Sequence, residues 1–194
     1  MKLDGNAIRK LGTVFGLTLL AIGLLALPAR ADTFSVTGDL PVTMSLALDD
    51  GQGNKDTKDA SSVAGYKLGL SLPFLIGFGY ESYGGKFGSN KAVPASFKYD
   101  VTMFDIFLNL PIPFVNIALG GGLGTGKISD VPGVDFKDAS LTQWFASVGI
   151  PIATVFDVHV GYHSFSGKNK ADTAGVPDIK VDGNMVSIGA KFGF

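Results

Sequence analysis

The sequence predicts an all-β protein, an eight-stranded antiparallel up-and-down β-barrel that spans a membrane. Three observations carry this. Apolar residues recur at period two from residue 34 to the end, the spacing that sets one face of a strand in hydrocarbon and the other in a confined polar interior. Mean hydropathy is positive, yet past residue 31 no stretch approaches the ~20 apolar residues that a spanning helix needs. The 27 glycines and 9 prolines interrupt every candidate helix, and a closed barrel is the other way to satisfy a backbone in lipid.

The chain opens on a predicted signal peptide at residues 1–31. Lys2, Arg9 and Lys10 form its basic start, an apolar run follows from Leu11 to Leu27, and Ala29-Arg30-Ala31 is a small-residue cleavage site. The run is short for a membrane anchor. Residues 32–194 are then one barrel domain. Its first strand is expected at 42–48, with Val42, Met44, Leu46 and Leu48 facing lipid. The second, at 64–72, shows Tyr66, Leu68, Leu70 and Leu72. The third, at 75–82, shows Ile76, Phe78 and Tyr80. The fourth, at 97–110, shows Phe104, Ile106, Leu108 and Leu110. The fifth, at 115–125, shows Val115, Ile117, Leu119 and Leu123. The sixth, at 141–150, shows Trp144, Ala146, Val148 and Ile150. The seventh, at 155–165, shows Phe156, Val158, Val160 and Tyr162, and the eighth carries Val186, Ile188, Ala190, Phe192 and Phe194. The fourth strand breaks parity, because Phe97, Tyr99 and Val101 alternate out of step with Phe104. A bulge near residues 101–104, or a loop stem above the membrane, accounts for that.

Pro73, Pro111 and Pro151 recur about 40 residues apart, one per hairpin, in short turns where a fixed φ and a missing N–H suit the bend. The alternate connections, 49–63, 84–96, 126–139 and 166–183, are longer and polar, the rim asymmetry of an outer-membrane barrel. Turn symmetry sets Lys67 against Glu81 and Leu70 against Phe78. It also sets Asn109 against Asn116, Asp105 against Gly120, Ser147 against His159, Gln143 against His163 and Trp144 against Tyr162. Tyr66, Tyr80, Trp144 and Tyr162 fall toward the long-loop rim, where an aromatic girdle belongs.

The net charge of −1 and the absence of any basic block argue against a nucleic-acid partner, and with no cysteine there is no disulfide or thiolate chemistry. The inward face gathers Lys67, Glu81, Asp105, Asp157, His159, His163 and Lys191. Buried charges must pair, so these residues are expected to form an interior network that plugs the lumen, with Lys67–Glu81 and Lys191–Asp157 its pairs. Ser147, His159 and Asp157 have the residue types of a nucleophilic triad, but an eight-stranded lumen leaves a substrate little room. His159 and His163 are too far apart along one strand for a single ion. Residues 49–56 lack the ligand spacing of a calcium loop. No cofactor, metal or catalytic residue is expected.

Ending on an amphipathic strand and the aromatic Phe194, and preceded by a signal peptide, the chain resembles the small eight-stranded outer-membrane barrels of the OmpA-transmembrane and OmpX type. The resemblance implies a Gram-negative outer membrane, Phe194 read by the barrel-assembly machinery, contact with outer-membrane lipid, and a monomer. It also implies a non-enzymatic structural or surface role, with an unidentified surface or envelope partner met through four extracellular loops. The alternative is a narrow pore or a small-ligand or lipid-binding carrier. Fold alone does not choose between them.

Overall fold

The computed structural model describes residues 34–73, 75–112, 114–153 and 155–194. The expected signal peptide and its cut after Ala31 lie outside the described residues. The described chain is all β: β1 (Ser35–Asp49), β2 (Lys55–Asp59), β3 (Ser62–Ser71), β4 (Ile76–Phe87), β5 (Phe97–Ile112), β6 (Val115–Ser129), β7 (Ala139–Ala153), β8 (Phe156–Asn169) and β9 (Ile179–Gly193). From β3 to β9 consecutive strands pair antiparallel, β1 pairs with both β2 and β3, and β1 also pairs with β9 from Ser35↔Gly193 to Asp49↔Lys180. That pairing closes the sheet and removes its edges. β2 and β3 are one interrupted strand. β1 pairs with β3 up to Asp39↔Lys67 and resumes with β2 at Ser45↔Asp59, so eight strands form the wall.

The lipid face is the one read from alternation in most strands. Leu68, Leu70, Ile76, Phe78, Ile106, Leu108, Leu119, Val148, Val160 and Ile188 are exposed on the outer surface. An exposed apolar band of this size on every strand requires a nonaqueous surrounding. At its upper edge Tyr66 lies against Tyr80, with ring centroids 6.2 Å apart, and Trp144 against Tyr162 at 5.6 Å.

Above that girdle the pattern inverts. In β4 the outward positions change from Phe78 and Tyr80 to Ser82 and Lys86, while the inward ones change from Glu81 to Tyr83 and Phe87. In β5, Phe97, Tyr99, Val101 and Met103 are all buried. The wall there stands in water, so its polar side faces out and its apolar side fills the lumen, as in a soluble barrel. Tyr99 and Phe165 stack at 6.2 Å, Phe87 and Phe97 at 5.2 Å, and Val93 tucks into the same core from the connection above β4.

Three expectations need correction, and one pair of alternatives is decided, since of a bulge or a stem above the membrane in β5 it is the stem that the structure has. Met44, Leu46 and Leu48 point inward into this upper core instead of toward lipid, because the β1–β9 register slips between Pro41 and Thr43. The extra residue there turns the rest of β1 over. β5 contains no bulge, since its registers with β4 and β6 run unbroken; its apolar residues change faces because the surroundings change. Two hairpins sit two residues from the expected register. Asn109 faces Ala118, Asp105 faces Gly122, Ser147 faces Gly161, Gln143 faces Phe165 and Trp144 faces Ser164. The β5–β6 turn is tight, closing on Ile112↔Val115 with Phe114 at φ 71°, whereas symmetry about 112–113 assumed an earlier bend. In the β7–β8 hairpin the slip lies between Pro151 and Ala153. A shift of two keeps every side chain on its face. The long connections are also shorter than expected, 50–54, 88–96, 130–138 and 170–178, because the strands continue above the membrane. The β3–β4 register, with Lys67↔Glu81, Gly69↔Gly79 and Leu70↔Phe78, is as the turn symmetry set it.

Candidate functional site: the polar ring of the lumen

At the height of the girdle, directly beneath the apolar core, inward side chains from six strands meet. β3 supplies Lys67, β4 Glu81, β5 Asp105, β7 Gln143, β8 His163 and β9 Ser187, all buried. Each is inward by the simple alternation of its strand, and the barrel is narrow enough for opposite walls to touch. Lys67 Nζ lies 2.7 Å from Glu81 Oε1 and 3.6 Å from Asp105 Oδ2. Gln143 Nε2 donates to Asp105 Oδ1 at 3.1 Å, and Tyr83 OH donates to Gln143 Oε1 at 3.4 Å, which ties the ring to the core above. The Lys67 ammonium also stands 3.2 Å over the Phe145 ring, which itself stacks on His163 at 5.1 Å. A desolvated cation held by two carboxylates and an aromatic face has compensation on every side.

His163 Nδ1 is 3.1 Å from Glu81 Oε1. Its Nε2 meets Ser187 Oγ at 3.4 Å. Ser187 Oγ is also within 3.3 Å of Asp39 Oδ1, and His159 Nε2 sits 2.8 Å from that same oxygen. Two glycines make room. A Cβ on Gly161 would lie 2.6 Å from Ser187 Oγ, and one on Gly189 would lie 2.6 Å from both Asp39 Oδ1 and His159 Nε2. Below this ring a cavity opens toward the short-turn rim, lined by Asp39, Lys67, Asn109, Asn116, Asp157 and Lys191 among others. Lys191 Nζ is 3.5 Å from Asp157 Oδ2, and Asn116 Nδ2 donates to that same carboxylate.

The sequence-named residues thus fall into two groups. Lys67, Glu81, Asp105, His163 and His159 belong to the girdle-level network, while Asp157 and Lys191 form a separate pair nearer the short-turn rim. Gln143 was placed on the inward face but paired with His163, not Asp105, and Asp39 and Ser187 were missed as partners. Asp39 stands before the β1 slip on a stretch left outside the expected strand. The triad drawn from Ser147, His159 and Asp157 is not assembled, because Ser147 faces Gly161 and His159 turns to Asp39. Ser187, His163 and Glu81 do stand in the order of a nucleophile, a base and an orienting acid. Ser187 and His163 are each only 1 % exposed and Glu81 is 0 % exposed, and the hydroxyl is shared with the Asp39 carboxylate, so the arrangement presents no nucleophile to a substrate. Phe194 is exposed at the short-turn rim, with its N–H bonded to Phe34 O at 2.8 Å.

The connection at 50–54 holds no ligand shell. Asp50 Oδ1 accepts the N–H groups of Gln52 and Asn54 at 2.8 and 3.1 Å, and Oδ2 accepts Asn54 Nδ2 at 2.7 Å. The Asn54 side chain first, and the Gln52 N–H next, hold this carboxyl below the usual aspartate range. The connections at 130–138 and 170–178 are laced together. Lys137 N–H donates to Lys170 O at 2.8 Å, and Lys137 Nζ lies 3.0 Å from Asp172 Oδ1.

No protein-family profile matches the chain, and no curated relative does. Solved structures do. Neisserial surface protein A (NspA) superposes with a TM-score of 0.59 at 18 % identity, covering 84 % of this chain and 97 % of its own. The outer membrane protein AlkL, solved in lipid bilayers, gives 0.56 at 13 % identity, covering 83 % and 89 %. At these identities the likeness is one of fold, and it spans nearly all of both barrels. Together with the exposed apolar band, the aromatic girdle and the closed eight-stranded wall, it shows that this chain has the fold of the small eight-stranded outer-membrane β-barrels.

Proposed function

We propose that this barrel is a non-enzymatic, monomeric scaffold that works through its outer surface and loop crown, contacting a surface or envelope partner. The observation that supports this most is the closure of the lumen at two levels, by the buried polar ring and by the apolar core above it. An ion crossing the barrel would have to shed its water beside Met44, Tyr99, Met103 and Phe165, where nothing replaces the lost hydration. The laced connections at 130–138 and 170–178 stand on this packed core as a firm platform, which lowers the ordering cost of binding. Phe194 is the residue we assign to recognition by the assembly machinery.

Single-channel recording of the refolded protein in a planar bilayer tests the reading. The expected result is a flat baseline with no unitary steps. Reproducible steps from the wild-type barrel would sink the sealed scaffold and favour a narrow pore. One observation supports a carrier as the second reading: the polar cavity between Asp39 and Lys191 has room below the ring. A carrier of that kind would release a bound small molecule on unfolding, detectable by mass spectrometry of protein extracted from its native membrane.

A further inference from the structure

The two ends of the wall differ in chemistry. Outer-membrane barrels ordinarily carry an aromatic girdle at both interfaces, yet all five tyrosines and the one tryptophan of this chain lie at the upper girdle or above it. At the short-turn end Ile112, Phe114, Ile152, Val155 and Phe192 are exposed instead, Phe114 to 86 % and Ile152 to 66 %. Phenylalanine and isoleucine have no polar tip to hold at a boundary, and a turn standing in water favours Asp, Asn or Gly. Among the described residues no charged side chain points outward between the girdle and these turns. The nearest charges, Asp157 and Lys191, pair inside the lumen.

The apolar wall is also short. Tyr66 to Leu72 is six residues and Trp144 to Ile152 is eight. At ~3.3 Å per residue and a tilt of roughly 40° that gives about 15–20 Å of height, against about 25 Å for the apolar band of an outer-membrane barrel. Above the girdle Ser82, Thr102 and Lys86 face outward, so the missing height is not recovered there. The turns are equipped to supply it, because a backbone N–H in hydrocarbon needs a partner. Leu72 N–H donates to Ile76 O at 2.8 Å, Asn109 N–H to Leu75 O at 2.8 Å and Gly193 N–H to Val155 O at 2.9 Å. Residues 73, 113 and 151 are prolines and have no N–H to satisfy.

We infer that the short-turn end does not emerge into the periplasm: its turns are seated among the acyl chains of the inner leaflet, which thins to meet them. The turn side chains continue the lipid face without a break, and hydrocarbon already borders that face on every strand. The lower mouth of the lumen then opens at the level of the inner-leaflet headgroups. This seating concerns the end opposite the loop crown and holds whatever the crown binds.

A phospholipid nanodisc, whose two faces are both open to solvent, allows the test with a single reporter tryptophan. Ile152→Trp or Phe114→Trp supplies it in a Trp144→Phe background, and Pro132→Trp, in the exposed connection at 130–138, is the aqueous control. Both rim reporters should emit to the blue of the control, be quenched by lipids brominated on their acyl chains, and resist acrylamide. Red emission with acrylamide quenching would place the turns in water and overturn the seating. Protection from acrylamide without quenching by brominated chains would mean that a second copy covers the rim, and would overturn it too. Ile152→Asp gives a readout whose sign separates the two placements. In water it should leave the urea midpoint unchanged or raise it, since aspartate suits a turn. Among acyl chains it should lower the midpoint, because the carboxylate must be dragged toward the headgroups. An unchanged or raised midpoint therefore overturns the seating. Heat-dependent gel mobility confirms that each variant is folded before it is compared.

Discussion

Lys67→Met is expected to destabilise the barrel by about 3–5 kcal/mol, the range for stripping one partner from a buried ion pair. Lys67 is the cation that holds Glu81 and Asp105, at 2.7 and 3.6 Å, in a buried site. Methionine keeps the stem and the contact with Phe145 but leaves two carboxylates facing each other. Adding Glu81→Gln should restore part of the loss, because one carboxylate with Gln143 as donor is tolerable where two without a cation are not. Urea unfolding titrations in lipid vesicles, read by heat-dependent gel mobility, measure both variants. A single variant as stable as wild type would show that the ring contributes nothing to holding the barrel together. A double variant worse than the single would mean that Glu81 is needed by His163 more than it is harmed by losing Lys67.

The second large effect is on the outside. Val160→Arg should cost about 2–4 kcal/mol, because the position faces hydrocarbon and a guanidinium there must be dragged toward the interface. Val160 is 54 % exposed on the outer wall, beside Ile188 on β9 and Val148 on β7. Ile106→Arg on β5 should behave alike, whereas Thr142→Arg, outward but above the girdle, should be nearly neutral. The same titration separates them. Equal tolerance of arginine at positions 160 and 142 would mean that the apolar band does not lie in hydrocarbon.

Much of this molecule is written in local chemistry. Period-two alternation identifies the strands and, through most of them, which face meets lipid, since a strand in a bilayer has one solvent on each side and must sort its residues accordingly. Leu72-Pro73 and Ile150-Pro151 mark the short-turn rim because proline punctuates a chain wherever it occurs. The inward set Lys67, Glu81, Asp105, His159 and His163 follows from the same parity.

What only the tertiary structure decided is where the sorting rule changes and which inward groups touch. In β5 the apolar residues change parity between Val101 and Phe104 with no bulge, because the upper strand leaves the membrane and its apolar side turns to the lumen. In β1 the same change is hidden: the slip after Pro41 turns the strand over at the same height, so two reversals cancel and Met44, Leu46 and Leu48 continue the parity of Val36 and Leu40. One chain cannot reveal that cancellation, since a bulge is set by pairing with β9 and the waterline by the bilayer. The partners Glu81–His163 are likewise joined across the lumen, and Asp39–His159 over Gly189 where β1 meets β9, by closure of the barrel, which brings together residues that no hairpin makes neighbours.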